Sequence, residues 1–140
     1  MKKKFRSSCI IASALDLIGD KWSLLIIRDM LLYQKKTFKE LSESDEGIAS
    51  NLLSSRLKLL ESIEILSKRK LPENKKTNIY LLSDKGIDLA ALIMEVVLWS
   101  DRYVRVYHSE MNEYEVPNNK NEMIHQVQDT YRNFKREILA

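Results

Sequence analysis

The chain is predicted to be mainly α-helical, with one small β-hairpin. Three observations lead there. Apolar residues recur at helical spacing through most of the 140 residues. Only three glycines and two prolines are present, too few for the turns of an all-β domain. One stretch, "EILSKRKLPENKKTNIYLLS", carries two β-prone segments on either side of a turn signal. The length suits one domain with its own core, and 44% apolar with 31% charged residues describes a folded chain.

Ile10 to Ile18 reads as a first helix that Gly19 is placed to end. Asp20 then caps a second, "KWSLLIIRDMLLY", apolar nearly all round as a central buried helix would be. In "TFKE", Thr37 and Glu40 have the spacing of a capping box and open a short third helix through Leu41. "SESDEG" is a loop, and Ile48–Ile63 a fourth helix. Ile65–Leu71 and Thr77–Leu82 are the hairpin strands, around a Pro-Glu-Asn-Lys-Lys tip. Ser83 caps a long fifth helix expected to run through Gly86 to about Tyr107. Pro117 and "NNKN" break the chain before a last helix, about Glu122 to Leu139. This order is a helix-turn-helix followed by a wing. It divides into a basic tail (residues 1–8), a winged-helix body (9–107) and a C-terminal helix (118–140).

The fourth helix has an unusual polar face. At about 100° per residue, Ile48, Ala49, Leu52, Leu53, Leu57, Leu59 and Leu60 fall within one half-turn. Ser50, Asn51, Ser54, Ser55, Lys58, Glu61 and Ser62 fall on the other. Short hydroxyl and amide side chains weaken a helix by competing for its backbone. They also let a helix enter the major groove of double-stranded DNA and reach base edges, with Lys58 for a phosphate or a guanine. The plainer reading is a solvated face that happens to be rich in serine. Arg56 lies in the middle of the apolar half and is assigned a structural role, bound to a carboxylate or to carbonyls.

The hairpin adds Lys68, Arg69, Lys70, Lys75 and Lys76 against Glu73, a local charge of +4. Such a ribbon suits phosphates or an adjacent minor groove, although a charged edge can simply block aggregation. Net charge for the whole chain is only +3. Lys2, Lys3, Lys4 and Arg6 are expected to form a solvated tail.

"LDLIGDKWSLLIIRDML", "FKEL", "GIASNLLSSRLKLLE" and "IYLLSDKGIDL" resemble, in order and spacing, the HxlR-type transcriptional regulators, relatives of the MarR group. The resemblance covers about Cys9 to Tyr103. It implies a bacterial winged-helix homodimer that binds operator DNA, usually as a repressor. By position it makes Ser50 to Ser62 the recognition helix and Lys68 to Asn78 the wing, and it matches Lys36, Thr37 and Lys39 to positions that meet phosphate. Three residues depart from the family pattern. Ala49 stands where a capping serine is usual, so that Ser50 is a candidate to cap instead. Glu64 replaces a helix-ending glycine, and Ile10 replaces a proline.

Cys9 is the lone cysteine, which excludes an internal disulfide and suits the cytosol. Some family members sense electrophiles or oxidants through a cysteine at this position. Lys3, Lys4 and Arg6 nearby would favour its thiolate. The alternative is an inert, partly buried thiol. For a homodimer the chain offers Leu89, Leu92, Ile93, Val96, Val97, Trp99, Val104 and Val106 on the fifth helix. Ile124, Val127, Tyr131, Phe134 and Ile138 make a coiled-coil-like seam on the last, which would pair with a second chain or pack on its own domain. Trp22, Phe38 and Trp99 read as core or interface anchors. His108 and His125 lack ligand spacing, and no nucleophile–base pair or phosphate loop appears, so no metal, cofactor or catalytic residue is expected. "LAALIMEVVLW" is about half a membrane span and contains Glu95, so no membrane segment is expected either. A protein-interaction module without DNA binding and a small thiol-based redox enzyme are the competing readings.

Overall fold

The computed structural model describes residues 4–113 and 119–140. Lys2, Lys3 and Pro117, with the first Asn of "NNKN", lie outside them. Among the described residues, seven helices and a two-stranded antiparallel hairpin follow in the order α1 (Ile10–Ile18), α2 (Ser23–Tyr33), α3 (Phe38–Ser42), α4 (Ser50–Ser62), β1 (Leu66–Leu71), β2 (Asn74–Leu82), α5 (Asp84–Ile87), α6 (Ala90–Tyr103) and α7 (Lys120–Leu139). The core is built on α2, whose Ile26, Ile27, Met30 and Leu31 are buried among side chains of α4, β1, α6 and α7.

Local chemistry explains most element ends. Asp20 works one turn ahead of α2: its carboxylate accepts the Trp22 and Ser23 amides, each at 2.9 Å, and the Ser23 hydroxyl. The Thr37–Glu40 capping box is present, with Glu40 also accepting the Lys36 amide at 3.1 Å. Asn119 caps α7 through the Glu122 amide. After α4 the corner closes as a glycine would close it. Glu64 adopts φ +64°, and the Ile65 amide reaches back to the Leu60 carbonyl at 2.9 Å.

Two expectations need correction, and one open choice is resolved. The fifth helix is two helices: the chain bends at Asp88–Leu89 with a tight Leu89 amide to Gly86 carbonyl bond, and α6 ends at Tyr103. Gly86 is drawn against the strand, since a Cβ there would lie 2.4 Å from the Ile65 carbonyl oxygen. The hairpin turn is tighter than a five-residue tip. Pro72 and Glu73 make it, while Lys75 and Lys76 lie within β2 beside a register irregularity at Lys70/Leu71. The hairpin also gains a third rung: Thr37 bridges Ile79, and the Tyr80 amide donates to the Lys36 carbonyl at 2.7 Å. Finally, the seam of α7 is filled by its own domain. Tyr131 is fully buried and its hydroxyl accepts the Leu82 amide at 2.8 Å, while Lys135 donates to the Leu82 carbonyl at 2.8 Å. Burial pushes the Tyr131 phenol up to about 12, which keeps it neutral at that bond.

A non-glycine residue in the left-handed region costs about 1–2 kcal/mol, offset in part by the greater unfolded freedom of glycine. Glu64→Gly is therefore expected to stabilise the fold by up to about 1 kcal/mol. Gly47→Ala, at φ +71° in open space, is expected to destabilise it by a similar amount. Paired urea melts check both; opposite signs are required.

Candidate nucleic-acid interface

Burial turns α4 so that one side is core and the other is water. Leu53, Leu57 and Leu60 are buried, with Leu52 and Leu59 half-buried beside them. Ser50, Asn51, Ser55 and Lys58 are exposed, and Ser54 is half-buried between the two sides. The helix starts after Ala49 with no side-chain cap, so the Ser50 hydroxyl is not drawn into one. Ser62 differs from its neighbours, its hydroxyl bonding the Leu59 carbonyl at 2.6 Å.

Two charged clamps hold this helix from behind. Arg56 extends across the helix pair to Asp20, Nη1 to Oδ2 at 3.6 Å, as its place in the apolar half required. Burial alone would raise the Asp20 pKa. The Ser23 hydroxyl, the two amides and Arg56 more than reverse this, and the carboxyl sits below the ordinary range. The second clamp was not found from sequence. Arg28 forms a paired contact to Glu46 in the loop entering α4, at 3.0 and 2.7 Å, and also reaches the buried Asp29. Lys35 approaches Asp29 from the other side at 3.4 Å. The Glu46 bond raises the Arg28 pKa, and the same bond lowers that of Glu46. The available signal was an Arg-Asp pair inside an otherwise apolar helix, where charges need partners.

The ribbon carries its cations along its length. Lys68 and Lys70 point to one face and Arg69 to the other, since alternate residues of a strand face opposite ways. These three, with Lys75 and Lys76 on β2, are all exposed. Near the ribbon root, Lys39 is exposed and Lys36 half-buried. The Thr37 hydroxyl is engaged with Glu40 in the capping box. Glu40 is held below its ordinary range: burial opposes this, and the Lys36 and Thr37 groups outweigh it. The arrangement presents a short-side-chain helix and a cationic ribbon, suited to a groove and its phosphates.

Cys9 is exposed at the start of α1, its carbonyl accepting the Ser13 amide and hydroxyl at 2.9 and 2.8 Å. Arg6 turns to Asp16 through its backbone amide and guanidinium. That part of the expected tail is tied to α1 instead of standing free. Two apolar faces are left uncovered: Ile10, Ile11 and Leu15 on α1, and Val96, Trp99 and Tyr103 on α6, continued by Val106 and Tyr107. Among the described residues no cluster of metal-ligating side chains occurs, and no helix is long and apolar enough to cross a membrane.

Residues 17–108 match the family described as HxlR-like helix-turn-helix. The HTH-type transcriptional regulator YodB of Bacillus subtilis is 40% identical over 91 residues, 65% of this chain and 80% of that protein. Its reduced form superposes with a TM-score of 0.59 at 38% identity, covering 69% of this chain and 95% of that one. Crystal structures of quinone-bound and diamide-treated YodB superpose with a TM-score of 0.55. PA1607 gives a TM-score of 0.67 at 31% identity, covering 79% and 75%. An HTH-type regulator of Mycobacterium tuberculosis, Rv3095, is 31% identical over 94 residues, 67% of this chain but only 58% of its own length. The chain, a winged helix-turn-helix protein by its fold, is a member of the HxlR-like family of transcriptional regulators.

Proposed function

We propose that this chain represses transcription by binding operator DNA as a homodimer. The observation that carries the reading is the side of α4 that exposes Ser50, Asn51, Ser55 and Lys58, with Ser54 half-buried at its edge, backed by buried leucines and flanked by the cationic ribbon. Side chains this short let the helix axis approach base edges, where hydroxyls and the Asn51 amide can hydrogen-bond. Lys68, Arg69, Lys70, Lys75 and Lys76 neutralise phosphates beside that groove, with Lys36, Lys39 and the backbone near Thr37 as the second backbone contact.

Dimerisation falls to the outward faces of α1 and α6, because the α7 seam is already occupied within its own domain. Trp99 and Tyr103 meet in a tilted contact, ring centroids 5.6 Å apart, and are water-exposed in a single chain, an arrangement that a partner chain would bury. A two-fold pair would set two recognition helices about 34 Å apart, matching half-sites one turn apart.

Cys9 is the sensor in this reading. The quinone-bound and diamide-treated forms of YodB support a thiol-reactive signal, and Cys9 is accessible at the edge of the uncovered α1 face. A thiolate adds to a quinone ring carbon, and the ring takes up a proton to become the substituted hydroquinone. With diamide, the Cys9 thiols of two chains lose two electrons and two protons to the reagent and form a disulfide. Either product alters the helix ends at the proposed interface and thereby the spacing of the heads.

Ser54→Ala with Lys58→Ala is expected to weaken binding to the chain's own upstream region at least tenfold without lowering the melting temperature. Removing Arg69 and Lys75 should weaken all sequences alike and reduce the slope of log affinity against log salt by about 2. Unchanged operator affinity in the first variant would remove α4 as the reader. Trp99→Glu should shift sedimentation from a dimer to the 16.4 kDa chain. If it does not, α6 is not the interface. Cys9→Ser should keep operator binding but resist release by diamide or benzoquinone; release matching the wild type excludes Cys9 as sensor.

A further inference from the structure

Between α2, α6 and the segment following α6 lies a pocket of about 400 Å³, within the range of small-molecule sites. Its apolar lining includes Leu24, Leu32, Ile93, Val97 and Met111, together with Val96 at the edge of the uncovered α6 face. The outer wall is pinned by Arg105, which donates to Asp101 at 2.8 Å and to the carbonyls of Met111 and Asn112 at 2.9 and 2.7 Å. The Ser100 hydroxyl meets the Met111 sulfur at 3.5 Å.

Charge defines what such a pocket takes. Both guanidinium groups in its lining are already neutralised, Arg105 by Asp101 and Arg28 by Asp29 and Glu46. His108 and Glu110 stand at the water-exposed rim. An ionic ligand would therefore lose hydration without gaining a free counter-charge. A flat apolar ring system gains the aliphatic wall and the Met111 thioether, which favours aromatic partners. The Ser100 hydroxyl can serve one polar substituent.

We propose that this pocket is an effector site for an uncharged aromatic molecule of about two fused rings, coupled to α4 through Arg28. Arg28 lines the pocket and holds Glu46, in the loop that enters the recognition helix, by both of its terminal nitrogens. A ligand that displaces the Arg28 side chain loosens that hold, so occupied pocket and DNA-bound head oppose each other. By linkage, DNA then weakens the ligand by the same factor that the ligand weakens DNA. The coupling rests on the DNA-binding reading above; the pocket itself does not.

The test uses the full chain and 2-naphthol as probe, followed by calorimetry without DNA and by operator binding with and without probe. Saturable binding at one probe per chain is expected. Filling the space with Val97→Phe, or independently Leu24→Phe, should weaken it at least tenfold in whichever variant keeps the wild-type circular dichroism spectrum. Saturating probe should lower operator affinity about fivefold or more in the wild type. In Glu46→Gln the probe should still bind but leave operator affinity unchanged. Absent or non-saturable binding overturns the site, as does binding untouched by a folded filling variant. Probe affinity that falls as protein concentration drives dimer formation assigns the pocket to the chain–chain interface and also overturns it. A full probe effect surviving in Glu46→Gln overturns the Arg28 route. Failure of the probe-free wild type to bind operator, with saturable probe binding intact, refutes the DNA reading and leaves the pocket standing.

Discussion

The burial of Leu53, Leu57 and Leu60 decides what α4 can do. Each buried leucine contributes about 1.5–3 kcal/mol, and removing one leaves a cavity that costs about 2–5 kcal/mol. The Arg56–Asp20 pair, half-buried and at 3.6 Å, is worth about 1 kcal/mol at most. The leucines therefore set which side of the helix faces inward, and the pair adjusts its angle and holds it to the start of α2. Everything on the outer side follows from that rotation, including the serines, the asparagine and Lys58.

Two carboxylates connect this helix to its surroundings by different means. Asp20 closes the first turn of α2 and receives Arg56 from α4, so one side chain joins these two helices. Glu46 ties the loop ahead of α4 to Arg28, and Arg28 is in turn shared with the buried Asp29. The second link also reaches the wall of the pocket beside α6. The pocket wall and the loop ahead of α4 therefore share one guanidinium. A direct route of this kind needs no relay through the core.

α7 changes the balance of the surface. Its apolar stripe is bound to the α2–α6 side of its own domain, and Tyr131 and Lys135 hold both backbone groups of Leu82 at the root of the ribbon. The outward sides of α1 and α6 are thereby the large apolar faces still open to a partner. The matched family region ends at residue 108, so this brace lies beyond it.

From sequence alone, the helix order, the Thr37–Glu40 box, the ribbon and the two faces of α4 were legible. Each follows from spacing within one element or from a side chain acting on its own turn. The need of Arg56 for a carboxylate or carbonyl partner was legible too, and it meets Asp20 at 3.6 Å while staying half-buried. Other features depended on residues distant in the chain. The break at Asp88–Leu89 comes just after Gly86, which lies close against the Ile65 carbonyl. The third rung at Thr37 follows from the return of β2. The choice of α7 between a partner and its own domain was decided by a Tyr131–Leu82 bond spanning nearly fifty residues. Periodicity reports which side of a helix is apolar, but only the packed fold supplies the surface that meets it.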